Sequence, residues 1–232
     1  MRSKKLRDLT LIDLDNKWLV IAVDSCGGIG VKKEDILNVD PVLVGGLTLR
    51  VILMEVLSTG AEIISVTNGV MNEFHPTGEK LLEGIKKELE TAGIEDVIIN
   101  GSSEENFSPV STGLAITAIG IVNKEDLRAG NDLRGLKIGL AGKPKVGNEI
   151  ELPVDDELVT YDEIYKLLKN ENVVEIIPVG SKGITGELKQ IKSEIKLSTD
   201  IDVGKSAGPA TCALVFYKGD DIKDVKQIGD VL

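Results

Sequence analysis

The segment DSCGGIG, residues 24–30, combines the residue types with the clearest potential for chemistry in this sequence. It directly follows the apolar run WLVIAV, so Asp24 is predicted to lie at the end of a buried strand. The glycines after it have backbone N–H groups that can turn towards an anion, as in a metal–phosphate site. The spacing matches neither a Walker A loop nor the dinucleotide-binding fingerprint. Alone, the segment leaves a metal–phosphate site, a redox cysteine and a plain tight turn as alternatives.

A redox or catalytic role for Cys26 would need a second thiol or a cationic neighbour to lower the pKa of its thiol. The other cysteine, Cys212, is far away in sequence, and His75 is the only histidine. A zinc site of Cys and His is therefore nearly excluded, and a small side chain in a crowded loop is the favoured interpretation of Cys26. Any metal must be held by carboxylates, which favours Mg²⁺ arriving with nucleotide phosphates.

Three further carboxylates are candidates for such a site. Glu55 lies in the apolar stretch RVILMEVLSTGA, where a buried charge is costly unless it faces a polar site or pairs with Arg50. Glu104 and Glu105 lie in NGSSEENFSP, a predicted loop between strands that could bind Mg²⁺ or act as a base, although the same residue types are ordinary loop material.

The elements that would position these residues form an α+β pattern. In the first half we predict strands at Leu9 to Ile12, Trp18 to Asp24, EIISVTNGV, DVIIN and TGLAITAIGIV, a buried helix from Pro41 to near Gly60, and an amphipathic helix between Pro76 and Gly93. The second half opens with LKIGLAGKP, and in it we predict the strands VVEIIPVG and ATCALVFY, helices at Tyr161 to Lys169 and about Ile184 to Ile195, and a short C-terminal helix. The polar stretch NKEDLRAGNDLRG suggests a boundary and domains 1–125 and 126–232.

Composition limits the partners of the protein. The 232 residues carry a formal charge of −11, which repels nucleic acid and anionic membrane surfaces. No apolar run approaches the roughly 18 residues that span a bilayer, and the basic start MRSKKLRDL leads into no signal-peptide core. We therefore expect a globular cytoplasmic protein without nucleic-acid or membrane partners, and the abundance of Lys, Glu and Ile is typical of a thermophile.

Together, these segments resemble the PurM-like ATP-binding superfamily of aminoimidazole ribonucleotide synthetase, selenophosphate synthetase and thiamine-monophosphate kinase. The likeness covers residues 8–122, through the turn 24–30, the helix with Glu55 before Gly60 and Ala61, the loop 101–106 and TGLAITAIG. It is looser in the second half, through PVGSKGITGEL and SAGPATCALVF. Within the superfamily, RDLTLIDL, DSCGGIG, MEVLSTGA, PTGEKLLEGI and GSSEENF look most like the alpha-ribazole kinases of cobalamin salvage.

The resemblance implies ATP- and Mg²⁺-dependent phosphorylation of the 5′-hydroxyl of alpha-ribazole, a nucleoside. It also implies a two-domain PurM-like fold with a shortened C-terminal α/β domain, and a homodimer whose paired N-terminal sheets close a barrel. Asp24 and Glu55 would be catalytic, and they would bind the metal together with Glu104 and Glu105. The implied nucleotide-binding residues are Gly27, Gly28, Gly30, Lys32, Gly101, Ser102 and Asn106.

Three positions depart from the family pattern. Met54 replaces an Asn, Ser102 stands where a relative has an acid, and Lys182 stands where thiamine-monophosphate kinase has an Asp. Either fewer ions bind, or other acids such as Asp8 or Asp13 contribute. An amidine-forming ligase, a selenophosphate synthetase relative and a non-catalytic nucleotide-binding protein remain alternatives, which the metal dependence of ATP binding would separate.

Overall fold

The computed structural model describes residues 2–151 and 155–232, which form two compact units. The first unit comprises the chain up to Val56 together with Ala61–Lys124, and the second comprises Leu57–Gly60 together with Glu125–Leu232. All of the candidate residues around Asp24 and the acidic loop belong to the first unit. No helix in the described part of the chain is both long enough and apolar enough to cross a membrane.

The first unit consists of a six-stranded sheet with two α-helices. Its elements are β1 (Ser3–Leu6), β2 (Leu9–Leu14), β3 (Lys17–Gly27), β4 (Ile29–Gly30), β5 (Leu37–Asn38), α1 (Pro41–Leu57), β6 (Glu62–Val70), α2 (Glu79–Thr91), β7 (Ile98–Ser103) and β8 (Gly113–Asn123). The sheet order is β1-β2-β3-β8-β6-β7, with β6 and β7 parallel and the other neighbours antiparallel. The short strands β4 and β5 pair separately, in parallel.

Alternation along β3 and β8 separates the two faces of this sheet. Val20 and Ala22 are buried, and Val20 lies opposite Gly120 in β8. A Cβ at Gly120 would lie 2.5 Å from Cγ1 of Val56, so α1 packs directly on this face. On the other face Val23 is 64% exposed, so within the described residues this side of the sheet is uncovered around Val23. Asp24 is therefore on the helix-covered face, near the end of β3.

Glycines allow α1 and α2 to approach by their backbones. A Cβ at Gly45 would lie 2.1 Å from the carbonyl oxygen of Leu81, and one at Gly84 would lie 1.9 Å from that of Val42. Any larger residue at either position would force the helices apart. This contact positions α2, which the turn Phe74–Gly78 precedes.

Within its described residues, the second unit has a five-stranded sheet and two short α-helices. Its elements are β9 (Lys137–Gly142), α3 (Tyr161–Lys169), β10 (Val173–Pro178), α4 (Gly183–Leu188), β11 (Ile195–Leu197), β12 (Cys212–Tyr217) and β13 (Val225–Val231). The sheet order is β10-β12-β9-β13-β11. One face packs a core that includes Leu140, Ile177, Ile184, Leu214 and Ile228.

Most predicted elements are found with small shifts, and α3 and β6 have the predicted bounds. The predicted C-terminal helix is wrong, because Val225–Val231 forms β13, whose register shifts between Gln227 and Gly229 and obscures the strand alternation. The helix predicted to reach Ile195 ends at Leu188, because Ile195 pairs with Val231 in β11.

Two aspects of the predicted architecture also change. The C-terminal domain was expected to be α/β, but every described strand pair of the second unit is antiparallel, which makes it α+β. The edge strand β1, with sequence SKKL, was not predicted, because it has too little hydrophobicity to signal a strand. The overall α+β class is confirmed.

Candidate functional site

Asp24 is a half-buried carboxylate on β3, paired with Ile116 of β8. Burial raises the pKa of its carboxyl above the ordinary value, and a hydrogen bond from the backbone of Ser25 only partly opposes this. A carboxylate with a burial-raised pKa gains from a cation that restores its charge balance. Asp24 is therefore suited to hold a hard cation.

The strand register places Asp24 in one row across the sheet with an apolar residue, an amide side chain and a glycine. Asp24 is opposite Ile116, Ile116 is opposite Asn68 of β6, and Asn68 is opposite Gly101 of β7. Three strand spacings separate Asp24 from Gly101, about 14 Å in all, and the fully buried Ile116 lies between them, so the row is not an open groove. A cavity of about 150 Å³ opens beside Asn68 and Gly101, with Phe74 in its lining.

The glycine turn after β3 is only partly open to a ligand. The amide of Gly28 donates a hydrogen bond to the carbonyl of Thr112 at 2.9 Å, so this N–H is used within the protein. A Cβ at Gly30 would lie 2.2 Å from Oγ1 of Thr112, so this glycine is needed for packing. Gly27 is exposed, and nothing lies within 4 Å of the position of a Cβ there. Gly27, the last residue of β3, is therefore the glycine of this segment that offers room for a ligand.

Asp35 holds the segment after this turn to the start of β8. Its Oδ1 accepts from the amide of Thr112 at 2.6 Å and from Oγ of Ser111 at 2.9 Å, and its Oδ2 accepts from Oγ1 of Thr112 at 2.7 Å and from the amide of Lys32 at 2.8 Å. Burial opposes ionisation, but the hydrogen bonds outweigh it and lower the pKa of the Asp35 carboxyl. Asp35 is therefore an ionised residue that stabilises this loop, and both of its carboxylate oxygens already accept hydrogen bonds within the protein.

Lys32 is held by a carboxylate within the same unit. Its Nζ donates to both carboxylate oxygens of Glu73, at 2.7 and 2.6 Å, and Oγ1 of Thr77 donates to Glu73 at 2.5 Å. Burial acts to raise the pKa of the Glu73 carboxyl. The hydrogen bonds from Lys32 and Thr77 outweigh burial, so the pKa lies below its usual range. A phosphate would therefore share or displace Glu73 to reach the ammonium of Lys32.

The acidic segment begins later than the sequence suggested. Gly101 and Ser102 were predicted in a loop, but both belong to β7, because this strand continues to Ser103 alongside β6. Glu104 accepts from the amide of Asn106 at 2.7 Å, so both residues stabilise the turn.

Glu105, the second acid of this segment, joins it to the turn before α2. Its Oε1 accepts from Oγ of Ser103 at 2.6 Å and from the amide of Phe74 at 2.9 Å. These bonds, with that from Ser103 the larger, lower the pKa of its carboxyl. Glu105 is therefore an ionised side chain that orders the loop.

The four predicted metal ligands are not gathered into one site. Among residues 2–151 and 155–232, no group of three or more His, Cys, Asp or Glu side chains is placed to hold a metal ion. Glu55 is half-buried on α1, and the guanidinium of Arg50, its predicted alternative partner, lies 4.0 Å from Glu88 of α2. Mg²⁺ is commonly bound through one or two carboxylates together with substrate phosphates. Asp24 fits such a shared site, whereas a four-carboxylate cage does not form within the described chain.

Cys26 is not activated as a nucleophile. Burial raises the pKa of its thiol, the nearby charges of Asp24 and Asp35 add to this, and a hydrogen bond with Thr48 opposes it. Cys212 is fully buried, which raises the pKa of its thiol to about 12. Low-pKa thiols are required for redox and nucleophilic cysteines. The redox interpretation of DSCGGIG therefore has no support.

Sequence analysis missed three residues that organise this region: Asp35, Asn72 and Glu73. Asn72 is completely buried, donates from Nδ2 to the carbonyl of Ser111 and accepts from the amide of Gly113 at Oδ1, both at 2.9 Å. Each of the three residues also makes hydrogen bonds with partners that lie 39 to 77 positions away in sequence. No local pattern signals such contacts.

No protein-family model and no curated protein matches the sequence. Solved structures do match. AaThiL complexed with AMPPCP and TMP superposes with a TM-score of 0.68 at 14% identity, over 97% of this chain and 84% of that one. Thiamine monophosphate kinase from Aquifex aeolicus gives a TM-score of 0.67 at 16% identity, over 98% of this chain and 89% of that one.

A larger protein also contains this fold. T. maritima PurL complexed with ATP matches with a TM-score of 0.64 at 18% identity, over 97% of this chain but only 37% of PurL. At these identities the similarities establish the fold, and the expected PurM-like fold is confirmed. The barrel-forming dimer and the alpha-ribazole substrate stay predictions.

Proposed function

We propose that this protein is an ATP- and Mg²⁺-dependent kinase that phosphorylates a hydroxyl group of a small molecule, with the 5′-hydroxyl of alpha-ribazole as the acceptor. The observation that carries the proposal is Asp24, a half-buried carboxylate with a burial-raised pKa near the end of β3, just before the glycine turn. Structures with the same fold contain AMPPCP or ATP, which supports nucleotide binding here. The choice of alpha-ribazole rests on the sequence resemblance.

The residues of this chain would contribute mainly position and charge. Bound Mg²⁺ would supply neutralisation of phosphate charge, as in other phosphoryl transfers. Asp24 would hold the ion, and Gly101, which lines the cavity beside Asn68, would contact the nucleotide. Lys32, positioned by Glu73, would offset the charge of the transferred group. Glu55 is proposed as a second catalytic carboxylate, which replacement by Gln would test separately.

A homodimer is part of the proposal. The uncovered face of the six-stranded sheet carries exposed apolar side chains, among them Val23 at 64% and Ile98 at 70% exposure. Apolar sheet faces of this kind are usually covered by another layer. A second copy would bury these side chains, which size-exclusion chromatography with light scattering would detect as a doubled mass.

The decisive experiment is incubation of the purified chain with Mg-ATP and a panel of nucleosides and nucleoside monophosphates, with ADP release as the readout. We expect ADP release with alpha-ribazole and with no other member of the panel. Release with a different hydroxyl acceptor would reassign the substrate. If no acceptor in the panel causes ADP release, the kinase proposal is contradicted.

Metal dependence provides the matched test of Asp24. ATP affinity should fall when EDTA is added and when Asp24 is replaced by Asn, while Asp220→Asn, on an exposed loop of the second unit, should have no effect. Unchanged ATP binding under both conditions would indicate a non-catalytic nucleotide-binding protein.

A further inference from the structure

The dipeptide Asn-Gly occurs at two places in the sequence, residues 68–69 and residues 100–101. In the structure the two dipeptides lie on neighbouring strands, because Asn68 of β6 is opposite Gly101 of β7. Asparagine deamidates most readily before glycine, because glycine has no side chain to shield the backbone nitrogen that attacks the asparagine side chain. The two dipeptides therefore place the same local chemistry in two different structural settings.

The setting of Asn100 brings the two reacting groups together. The amide of Gly101 donates a hydrogen bond to Oδ1 of Asn100, with 2.9 Å between nitrogen and oxygen, so the nitrogen lies beside the side-chain amide that it would attack. Asn100 and Gly101 are both exposed, so water can accept the proton of this nitrogen. The nucleophile, the carbon that it attacks and the proton acceptor are therefore close to one another.

The position of β7 in the sheet separates Asn100 from Asn68. Attack requires the backbone to leave the extended conformation locally, and a strand paired on one side opens at a lower free energy than a strand paired on both. β7 is the outermost strand of its sheet, so within the described residues only β6 pairs with it. Gly69, in contrast, is opposite Ser102 on one side and Ala115 on the other. The sheet therefore protects Asn68 more than Asn100.

Packing between the two strands requires the glycine at position 101. A Cβ at Gly101 would lie 2.5 Å from Oδ1 of Asn68, and Nδ2 of Asn68 donates to the carbonyl of Asn100 at 3.2 Å. A larger residue at position 101 would shield the backbone nitrogen and slow deamidation, but the side chain of Asn68 occupies the space that it needs. The reactive dipeptide is therefore a consequence of the close approach of Asn68 to β7.

We propose that Asn100 is a spontaneous modification site, at which the backbone nitrogen of Gly101 converts the side-chain amide into a carboxylate. The nitrogen loses its proton to water and bonds to Cγ of Asn100. The bond from Cγ to Nδ2 breaks, and the departing NH2 group takes up a proton from water and leaves as ammonia. Water then opens the cyclic imide at either carbonyl, which gives aspartate or isoaspartate. The net reaction consumes water and releases ammonia in equal amounts, without oxidation or reduction.

The isoaspartate product alters the end of β7. It adds a carbon atom to the main chain between residues 100 and 101, so the pairing of residues 101–103 with residues 68–70 is shifted. The hydrogen bonds that Glu105 accepts from Ser103 and from the amide of Phe74 follow directly and are weakened with it. The reaction needs no nucleotide and no metal ion, so the modification site stands or falls independently of the proposed kinase.

The test is peptide mass spectrometry of the full chain after prolonged incubation at pH 7 and at pH 9. In the folded protein Asn100 should deamidate about tenfold faster than Asn68, and faster at pH 9 because the attacking nitrogen must lose its proton. In guanidinium chloride the two sites should react at similar rates, because both are followed by glycine. Asn100→Gln is the matched control. Its longer side chain closes a larger and less favourable ring, so reaction at residue 100 should stop while Asn68 is unchanged.

Three results would overturn the modification site. These are equal rates at Asn100 and Asn68 in the folded protein, no reaction at Asn100, or aspartate without isoaspartate, which would indicate direct hydrolysis by water instead of attack by Gly101. The effect on β7 has its own measurement, since amide hydrogen exchange in residues 101–105 should become faster in incubated wild type and not in Asn100→Gln incubated in parallel. Unchanged exchange in a sample that contains isoaspartate would contradict that effect.

Discussion

Lys32 and Glu73, 41 residues apart, form an ion pair in which Nζ donates to both carboxylate oxygens, at 2.7 and 2.6 Å. The two side chains are 22% and 26% exposed, so solvent screens them only in part. The pair joins the segment after the glycine turn to the turn that precedes α2. It therefore connects two parts of the candidate site that the sheet alone would leave independent.

Replacement of Glu73 by Gln should lower the free energy of unfolding by about 1–2 kcal/mol at pH 7, because Lys32 and Thr77 lose a charged acceptor. The pKa of Glu73 is lowered in the folded state, so its contribution is complete above the ordinary value of 4.5 and is lost as the pH falls through the folded-state pKa. Urea unfolding at several pH values measures this. Glu83→Gln, which removes the partner of exposed Lys87, is the control and should change little.

Replacement of Asp35 by Asn should cost about 2–3 kcal/mol of stability, because an amide cannot accept all four hydrogen bonds that the carboxylate accepts. Chemical unfolding measures the loss, with Asp220→Asn as the exposed control. Stability equal to that of the wild type would show that Asp35 does not brace the loop.

Two glycines three residues apart should respond differently to the same change. Gly30→Ala should lower the melting temperature by several degrees, because the new Cβ would lie 2.2 Å from Oγ1 of Thr112 and 2.7 Å from Oδ2 of Asp35. Gly27→Ala has open space and should leave the melting temperature unchanged while weakening ATP binding. Similar melting temperatures for both variants would contradict the packing derived for Gly30.

Asp24→Asn should separate stability from function. Because burial raises the pKa of Asp24, its ionised form is disfavoured in the folded state, and the cost grows as the pH rises above the ordinary value of 3.8. The neutral amide should therefore melt at the same temperature as the wild type, or higher, at pH 7. Mg-ATP-dependent turnover should fall about 100-fold or more. A lower melting temperature would identify Asp24 as a structural residue.

Both cysteines should react slowly with a thiol reagent, Cys26 before Cys212. The raised pKa of the half-buried Cys26 thiol predicts slow modification by a thiol reagent at pH 7, faster at pH 9, and Cys212 should react only after unfolding. Mass spectrometry of peptides during labelling measures both rates. Rapid labelling of Cys26 at pH 7 would restore the redox interpretation of its loop.

Elements with strong periodicity were predictable from the sequence. The pattern of Tyr161–Lys169 and the apolar run of Glu62–Val70 predict the helix and strand with the observed bounds. Val225–Val231 was not predictable, because a bulge interrupts its alternation and its strand character comes from pairing with β9 and β11. Local patterns predict elements that are stable for local reasons, and tertiary pairing decides the others.

The site was predictable only in outline. Asp24 could be identified because an acid directly after an apolar strand is a local signal. The gathering of Asp24, Glu55 and the acidic loop around one ion was inferred from family resemblance, and the described chain does not assemble it. The role of Asp35 could not be predicted, because KKEDIL has the composition of a charged surface segment. Its partners Ser111 and Thr112 are 76 and 77 residues away.

Strand β13 comes after every other strand of the second unit in sequence, yet it lies between β9 and β11 in the sheet. During synthesis on the ribosome, the six-stranded sheet can close once Asn123 has emerged, but the second sheet must wait for Val225–Val231. Until then β9 exposes an unpaired apolar edge, which is a target for chaperones and for aggregation. A ribosome stalled before residue 225 should therefore carry a folded first unit and a protease-sensitive second one.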